Sequence, residues 1–311
     1  MSEISQAIEK ITHKYPAIEA RLREIISHKK ISCGGTQLHC YCLKTDCRNQ
    51  IRETDFVNFL LDCIVDYVIS NKERNSAIRE GKKNCSFSPY MKLDRRAKDL
   101  FTLQEKSGEV GELILFILAN HYLRYPILIN KMSLKTSPDM HVHGSDGIHF
   151  NFDEESGILD LYWGESKVYK DVNGALDDCL ASVRDFILES IHERAKRSID
   201  LNLIGSNLGK LDSDVLEQLL LPFFNLDSDF SNRVRFKGIC FVGFNSDKNY
   251  IPFDFKDLPE VYFHEHIEEW ENKLKKKLIK HNLDSSELHV FMIPFESVER
   301  LRDKFREGLK R

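Results

Sequence analysis

The strongest constraint on how this chain folds is a pair of alternating segments joined by a short polar loop. Residues 146–152 read Asp-Gly-Ile-His-Phe-Asn-Phe, so Asp146, Ile148, Phe150 and Phe152 share one side of a strand, and Gly147, His149 and Asn151 the other. The run Asp153-Glu154-Glu155-Ser156-Gly157 is polar, ends in glycine and reads as a hairpin loop. Residues 158–169 follow, rich in β-branched and aromatic side chains, and predict a second strand. Its alternation puts Leu161, Trp163, Glu165, Lys167 and Tyr169 on one face. Two acids and a lysine therefore project among bulky apolar neighbours.

Burying bare carboxylates costs several kcal/mol unless something compensates. A divalent cation is the natural compensation, with Lys167 as a second, fixed positive charge. Asp146 and Glu165 offer hard oxygen ligands suited to Mg²⁺, with Mn²⁺ able to substitute, and the backbone carbonyl of Ser166 adds a third. Such a metal polarises a scissile phosphate and lowers the pKa of a bound water. Lys167 then positions that water or stabilises the charge building on the phosphate oxygens. The string acid-x-Lys by itself carries little information, since it recurs at Glu80-Gly81-Lys82, Asp254-Phe255-Lys256 and Glu271-Asn272-Lys273. Only Glu165-Ser166-Lys167 ends a hydrophobic strand with an acid on the preceding strand. The bland alternative is a surface ion pair on an edge strand.

The chain has 311 residues, 41% of them hydrophobic and 30% charged, which predicts a globular protein with a proper core. Its net charge is −4, so any nucleic-acid contact must come from a local basic patch. The first residues are amphipathic and charged, no apolar run approaches the ~20 residues of a membrane helix, and a cytoplasmic protein is expected. Eight cysteines fit free thiols better than a disulfide scaffold. Cys33, Cys40, Cys42 and Cys47 crowd near His39, but without paired zinc-knuckle spacings, so Cys40 and Cys42 read as small apolar residues on one face of a strand over 36–43.

Residues 1–30 show helical periodicity, Gly34-Gly35 breaks it, and a short strand and an apolar helix over 55–69 complete an amino-terminal α/β region. Residues 72–98 hold nine Lys/Arg against three Asp/Glu and read as an exposed connector, or as a patch contacting DNA or a partner. A helix is predicted over 101–123, with Gly108 and Gly111 in its first half. Each internal glycine costs about 1 kcal/mol relative to alanine, which points to close packing against another backbone. Glu112 borders the apolar run of this helix and is placed to reach a metal site on an adjacent sheet. Glu109 reads as a capping or surface carboxylate. A strand over 126–132, the hairpin, a helix over 173–193, a helix over 211–221, a strand over 236–244, a helix over 264–281, a strand over 288–294 and a helix over 297–309 follow. His149 lies opposite Asp146 in the pleat and reads as structural, whereas His141 and His143 flank the start of the strand.

This order, with an acid and Glu-x-Lys on adjacent central strands, resembles the PD-(D/E)xK nuclease superfamily. The resemblance implies an α/β fold with a restriction-endonuclease-like core, a mixed central sheet flanked by helices, over residues 96–311, and a leading helix that adds a glutamate, here Glu112. Ser145 replaces the proline that often precedes the first acid. A closer resemblance is to the HamA family, nuclease subunits of the Hachiman antiphage defence system. It is carried by Gly108-Glu109-Val110-Gly111-Glu112, by Gly144-Ser145-Asp146-Gly147-Ile148-His149, and by Gly164-Glu165-Ser166-Lys167 with the helix over 175–182. It implies a metal-dependent DNA endonuclease restrained by a partner helicase, HamB, and released when infection or DNA damage is sensed. Residues 1–95 match no motif. The expectation there is a docking region for the helicase, with the helix over 55–69 and the basic stretch over 72–98 as contact surfaces. Its alternative is a region that merely packs against the nuclease core.

The residues leave two other readings open. One is a binding or assembly subunit that kept the fold without turnover. The other is an RNA-cleaving enzyme with the same site, because water activated by a metal needs no 2′-hydroxyl.

Overall fold

The computed structural model describes residues 2–31, 34–48, 50–102, 104, 107–130, 132, 145–188, 204–211, 213–246 and 260–310. These residues build one mixed sheet of seven strands, ordered β1-β2-β7-β6-β5-β4-β3. The strands are β1 (Leu22–Lys30), β2 (Gln37–Leu43), β3 (Ile127–Asn130), β4 (Gly147–Asp153), β5 (Ile158–Tyr169), β6 (Val234–Asn245) and β7 (Leu288–Phe295). β3, β4 and β5 form an antiparallel half. β5, β6, β7 and β2 run parallel, and β1 closes the far edge antiparallel. The helices are α1 (Glu3–Ile11), α2 (Glu53–Asp62), α3 (Ile64–Val68), α4 (Asn71–Asn84), α5 (Ser88–Asp99), α6 (Glu109–Leu118), α7 (Val172–Ile187), α8 (Asp214–Phe224), α9 (Glu260–Lys280) and α10 (Val298–Leu309). From α6 onward the order matches the sequence reading. Among the described residues no helix is long and apolar enough to cross a membrane.

Alternation along the central strands feeds two cores. Leu159, Leu161 and Trp163 of β5 pack with Cys179, Leu180 and Val183 of α7 and with residues of α8 and α9. Tyr162 and Val168 turn to the other face, against Leu113 and Phe116 of α6 and residues of α2, α3 and α10. Every residue of β5 from Leu159 to Ser166 is buried. Each fully buried large apolar side chain, such as Phe150 or Phe241, contributes about 1.5–3 kcal/mol. The middle of β5 is thus fully covered, like β6 and β7 beside it, and the Glu165-Ser166-Lys167 segment lies where β5 approaches solvent.

Several expectations are corrected. Residues 22–30, read as helix, form the edge strand β1, because pairing with β2 outweighs the local spacing of Ile18 and Leu22. The helix over 55–69 is two helices meeting at Cys63, and its apolar side is core, with Phe56, Leu60 and Ile64 fully buried, so that side is not exposed for docking. The basic stretch is a pair of helices, α4 and α5, not a connector. The expected helix over 101–123 is the shorter α6, extended by a π turn over Ala119–Leu123. The amino-terminal region has no sheet of its own, since β2 hydrogen-bonds β7 along Gln37–Cys40, so residue 95 does not divide the fold. Cys40 and Cys42 pack in one core, as read. His141, His143, Cys33 and the segment Asp254-Phe255-Lys256 lie outside the described residues.

Candidate active site

The register of β4 on β5 assembles the site. Gly147 stands opposite Gly164 at the last step of the ladder, and the Asp146 amide donates to the same Gly164 carbonyl at 3.1 Å, so Asp146 sits at the end of β4 against the start of the Gly164-Glu165-Ser166 segment. Where β4 ends, a side chain takes over the pairing. Asp146 Oδ2 accepts from the Ser166 amide at 2.8 Å and from the Ser166 hydroxyl at 2.7 Å. Two donors on one carboxylate oxygen fix the Asp146 side chain in a buried setting. By strand alternation the Ser166 carbonyl points to that same edge.

Glu165 projects to the α7 face. Its Oε1 accepts from Lys167 Nζ, and its backbone carbonyl receives the Cys179 thiol of α7 at 3.3 Å. Burial alone lowers the pKa of Lys167, but the bonded Glu165 carboxylate and the nearby Asp146 charge outweigh it and raise the pKa. The lysine side chain is 21% exposed against 9% for Glu165, so it is the more open member of the pair.

Helix α6 brings the fourth predicted residue. It crosses β5 at Gly111, where an added Cβ would lie 2.8 Å from Val168 Cγ2 and 3.2 Å from Ser166 Oγ. This is the close approach that an internal glycine predicted. Gly108 instead occupies the N-cap, with room around it. One turn on from Gly108, the buried Glu112 accepts a 3.2 Å hydrogen bond from the Tyr67 hydroxyl of α3. Burial, and then the charges of Glu112 and Asp146, push the Tyr67 phenol well above its usual pKa, so both carboxylates lie within electrostatic reach of one hydroxyl. Glu109 is neither capping nor on the surface. It is buried and accepts the Thr102 amide at 2.8 Å.

Asp146 is thus bonded to Ser166 and Glu165 to Lys167 at the end of β5, while Glu112 reaches this end from the α6 face, where Tyr67 lies within electrostatic range of both Glu112 and Asp146. His149 is structural, as read, with its Nδ1 3.0 Å from the Tyr125 carbonyl and its pKa lowered by burial to about 4. Among the described residues no three His, Cys, Asp or Glu side chains form a ready metal cage. The sequence reading missed Tyr67 and the Ser166 hydroxyl. Tyr67 carries an ordinary core spacing in its helix. The hydroxyl sits at the variable position of Glu-x-Lys, where only a small polar side chain beneath Gly111 signals its role.

The HamA family model matches residues 20–309, which covers both β1 and the closing helix α10. The chain belongs to the HamA family. The match runs through residue 95 without a break, as the sheet does, and the resemblance read from the Gly-Glu-x-Gly-Glu, Gly-Ser-Asp and Gly-Glu-Ser-Lys motifs is borne out. HamA membership makes the chain a component of the Hachiman defence system. No curated protein matches it.

Proposed function

We propose that this HamA protein is a Mg²⁺-dependent DNA endonuclease, the effector of an antiphage defence system, restrained by the partner helicase HamB. The observation that supports the reading is the Asp146 carboxylate at the end of β4 bonded to the amide and hydroxyl of Ser166, the middle residue of Glu165-Ser166-Lys167. The donor set suits a hard cation. Asp146, Glu165 and Glu112 are all buried carboxylates and Lys167 pairs with only one of them; buried acids of this kind favour a divalent ion as their counter-charge. Asp146, Glu165, the Ser166 carbonyl and Glu112 are the residues to hold it. Mg²⁺ commonly uses one or two carboxylates and keeps several waters. When bound, the ion polarises the phosphate and makes water nucleophilic near neutral pH.

The chain's own residues supply the positioning. Ser166 holds Asp146 through two hydrogen bonds, and Tyr67 holds Glu112. Lys167, the more open member of its ion pair, would meet the phosphate oxygens on which charge develops. The test is incubation of the purified protein, alone and with HamB, with supercoiled plasmid and structured RNA, in Mg²⁺ and in EDTA. Plasmid nicking in Mg²⁺ alone is expected. Cleavage of RNA only, or of neither substrate under any condition, would replace the reading by an RNase or by an assembly subunit.

A further inference from the structure

Residues 72–98 carry six net positive charges in a chain whose total is −4, so the rest of the molecule is acidic. The structure turns this stretch into a rigid helical hairpin. Ser70 caps α4 by accepting the Glu73 amide, and α4 closes at Cys85 in the left-handed region, with φ 48°. The Ser86 amide returns to the Gly81 carbonyl at 3.0 Å, and Tyr90 packs over Gly81, where an added Cβ would lie 3.0 Å from the ring. The buried side of the pair is small, with Ala77, Gly81, Pro89 and Ala97.

The opposite side is unusual in two ways. Arg79, Lys82, Lys83, Lys92 and Arg95 are exposed, and none of them is in an ion pair among the described residues. At the tip Phe87 is 82% exposed, with Met91 at 54% and Tyr90 at 39% beside it. A solvated helix pair needs neither feature. Cations outside any ion pair attract a polyanion, and an exposed aromatic ring at the turn offers a stacking platform. Duplex DNA hides its base faces and gains little from such a ring, whereas unpaired bases stack on it.

We infer that the α4–α5 hairpin binds single-stranded DNA, with the lysines and arginines along the phosphates and Phe87 stacked on a base. The choice of DNA rests on the nuclease reading above. α5 shares a core with α3, whose Tyr67 holds Glu112, so the hairpin is a rigid arm fixed to the site.

The experiment measures binding separately from cleavage. Full-length protein in EDTA is titrated with fluorescein-labelled oligo-dT, a matched duplex and a matched RNA strand over a range of salt. Reversing charge at Lys82, Lys83 and Arg95 together should weaken oligo-dT binding at least about tenfold and flatten the salt slope by about 2, near 0.7 for each phosphate no longer neutralised. Phe87→Ala should weaken oligo-dT about fivefold or more, leave the salt slope unchanged and spare the duplex. All these positions are exposed, and unchanged melting temperatures confirm folding. Wild-type affinity and slope in both variants would overturn the inference. So would a charge-reversal loss confined to duplex or RNA, or loss of HamB co-purification with oligo-dT binding intact, which would mark the hairpin as the helicase dock. Failure of plasmid cleavage with these binding shifts present would instead count against the nuclease reading alone.

Discussion

Gly111 provides a sharp test of how α6 is set against β5. Replacing it by alanine has two opposed effects. An internal helical glycine is less favourable than alanine by about 0.8–1.0 kcal/mol, so the substitution should help the helix. Against this, the new Cβ would lie 2.8 Å from Val168 Cγ2, a stiff β-branched side chain that is itself buried, and 3.2 Å from Ser166 Oγ. Forcing a methyl into such a contact costs about 1–3 kcal/mol. The clash should win, leaving Gly111→Ala destabilised by roughly 1 kcal/mol and Gly111→Val, with two more methyls, by roughly 3 kcal/mol. At about 2–4 °C per kcal/mol the alanine variant melts a few degrees low. Activity should fall further than stability, because the helix that must retreat carries Glu112 and the strand atom it presses is the hydroxyl holding Asp146. A loss on the order of tenfold in plasmid cleavage is expected. Gly108→Ala, at the roomy N-cap, is the control and should stay within about 1 kcal/mol of wild type. Calorimetry and a cleavage time course read both quantities. A Gly111→Ala protein that melts higher and cuts at the wild-type rate would refute the close approach.

Two further outcomes follow from the same structure. Mg²⁺ or Mn²⁺ should support cleavage and EDTA abolish it, while Ca²⁺ should bind and support turnover poorly because its looser coordination positions water badly; full activity in EDTA contradicts this. Burial lowers the pKa of His149 and His289 to about 4 and of His39 to about 3, against about 6.5 in the unfolded chain. Between those values the unfolded state binds more protons, so this stabilisation is complete above about pH 6.5 and is lost as pH falls toward 4. Urea midpoints should therefore drop from pH 7.5 to 5.5, less steeply in His149→Gln, and a flat profile in both would count against buried neutral histidines.

What was legible in the sequence follows physical range. The hairpin of β4 and β5, the strands β6 and β7 and the helices between them were readable because their apolar periodicity is local and strong. Asp146, Glu165 and Lys167 stood out because charge on an apolar face contradicts that periodicity. β1 was not readable, since an edge strand with Arg23, Glu24 and Lys29 owes its conformation to β2. The hairpin of α4 and α5 misled because its lack of apolar residues resembled a connector, although Ser70-Asn71-Lys72-Glu73 is a capping box. The bond from Tyr67 to Glu112 spans 45 residues and leaves no local trace. The same holds for Asp160, whose buried carboxylate meets Arg235 Nε at 2.6 Å and Lys237 Nζ at 2.9 Å only through the parallel register of β5 and β6.

The most direct measurement is Mg²⁺-dependent plasmid cleavage by wild type, Glu165→Ala and Lys167→Ala, with circular dichroism and melting to establish folding. Under the proposed function, removing either the proposed metal ligand Glu165 or the proposed phosphate-facing Lys167 should lower the rate on the order of 10²-fold or more in a folded protein. Folded variants that both cut DNA at the wild-type rate would contradict the assignment of the site to the end of β5.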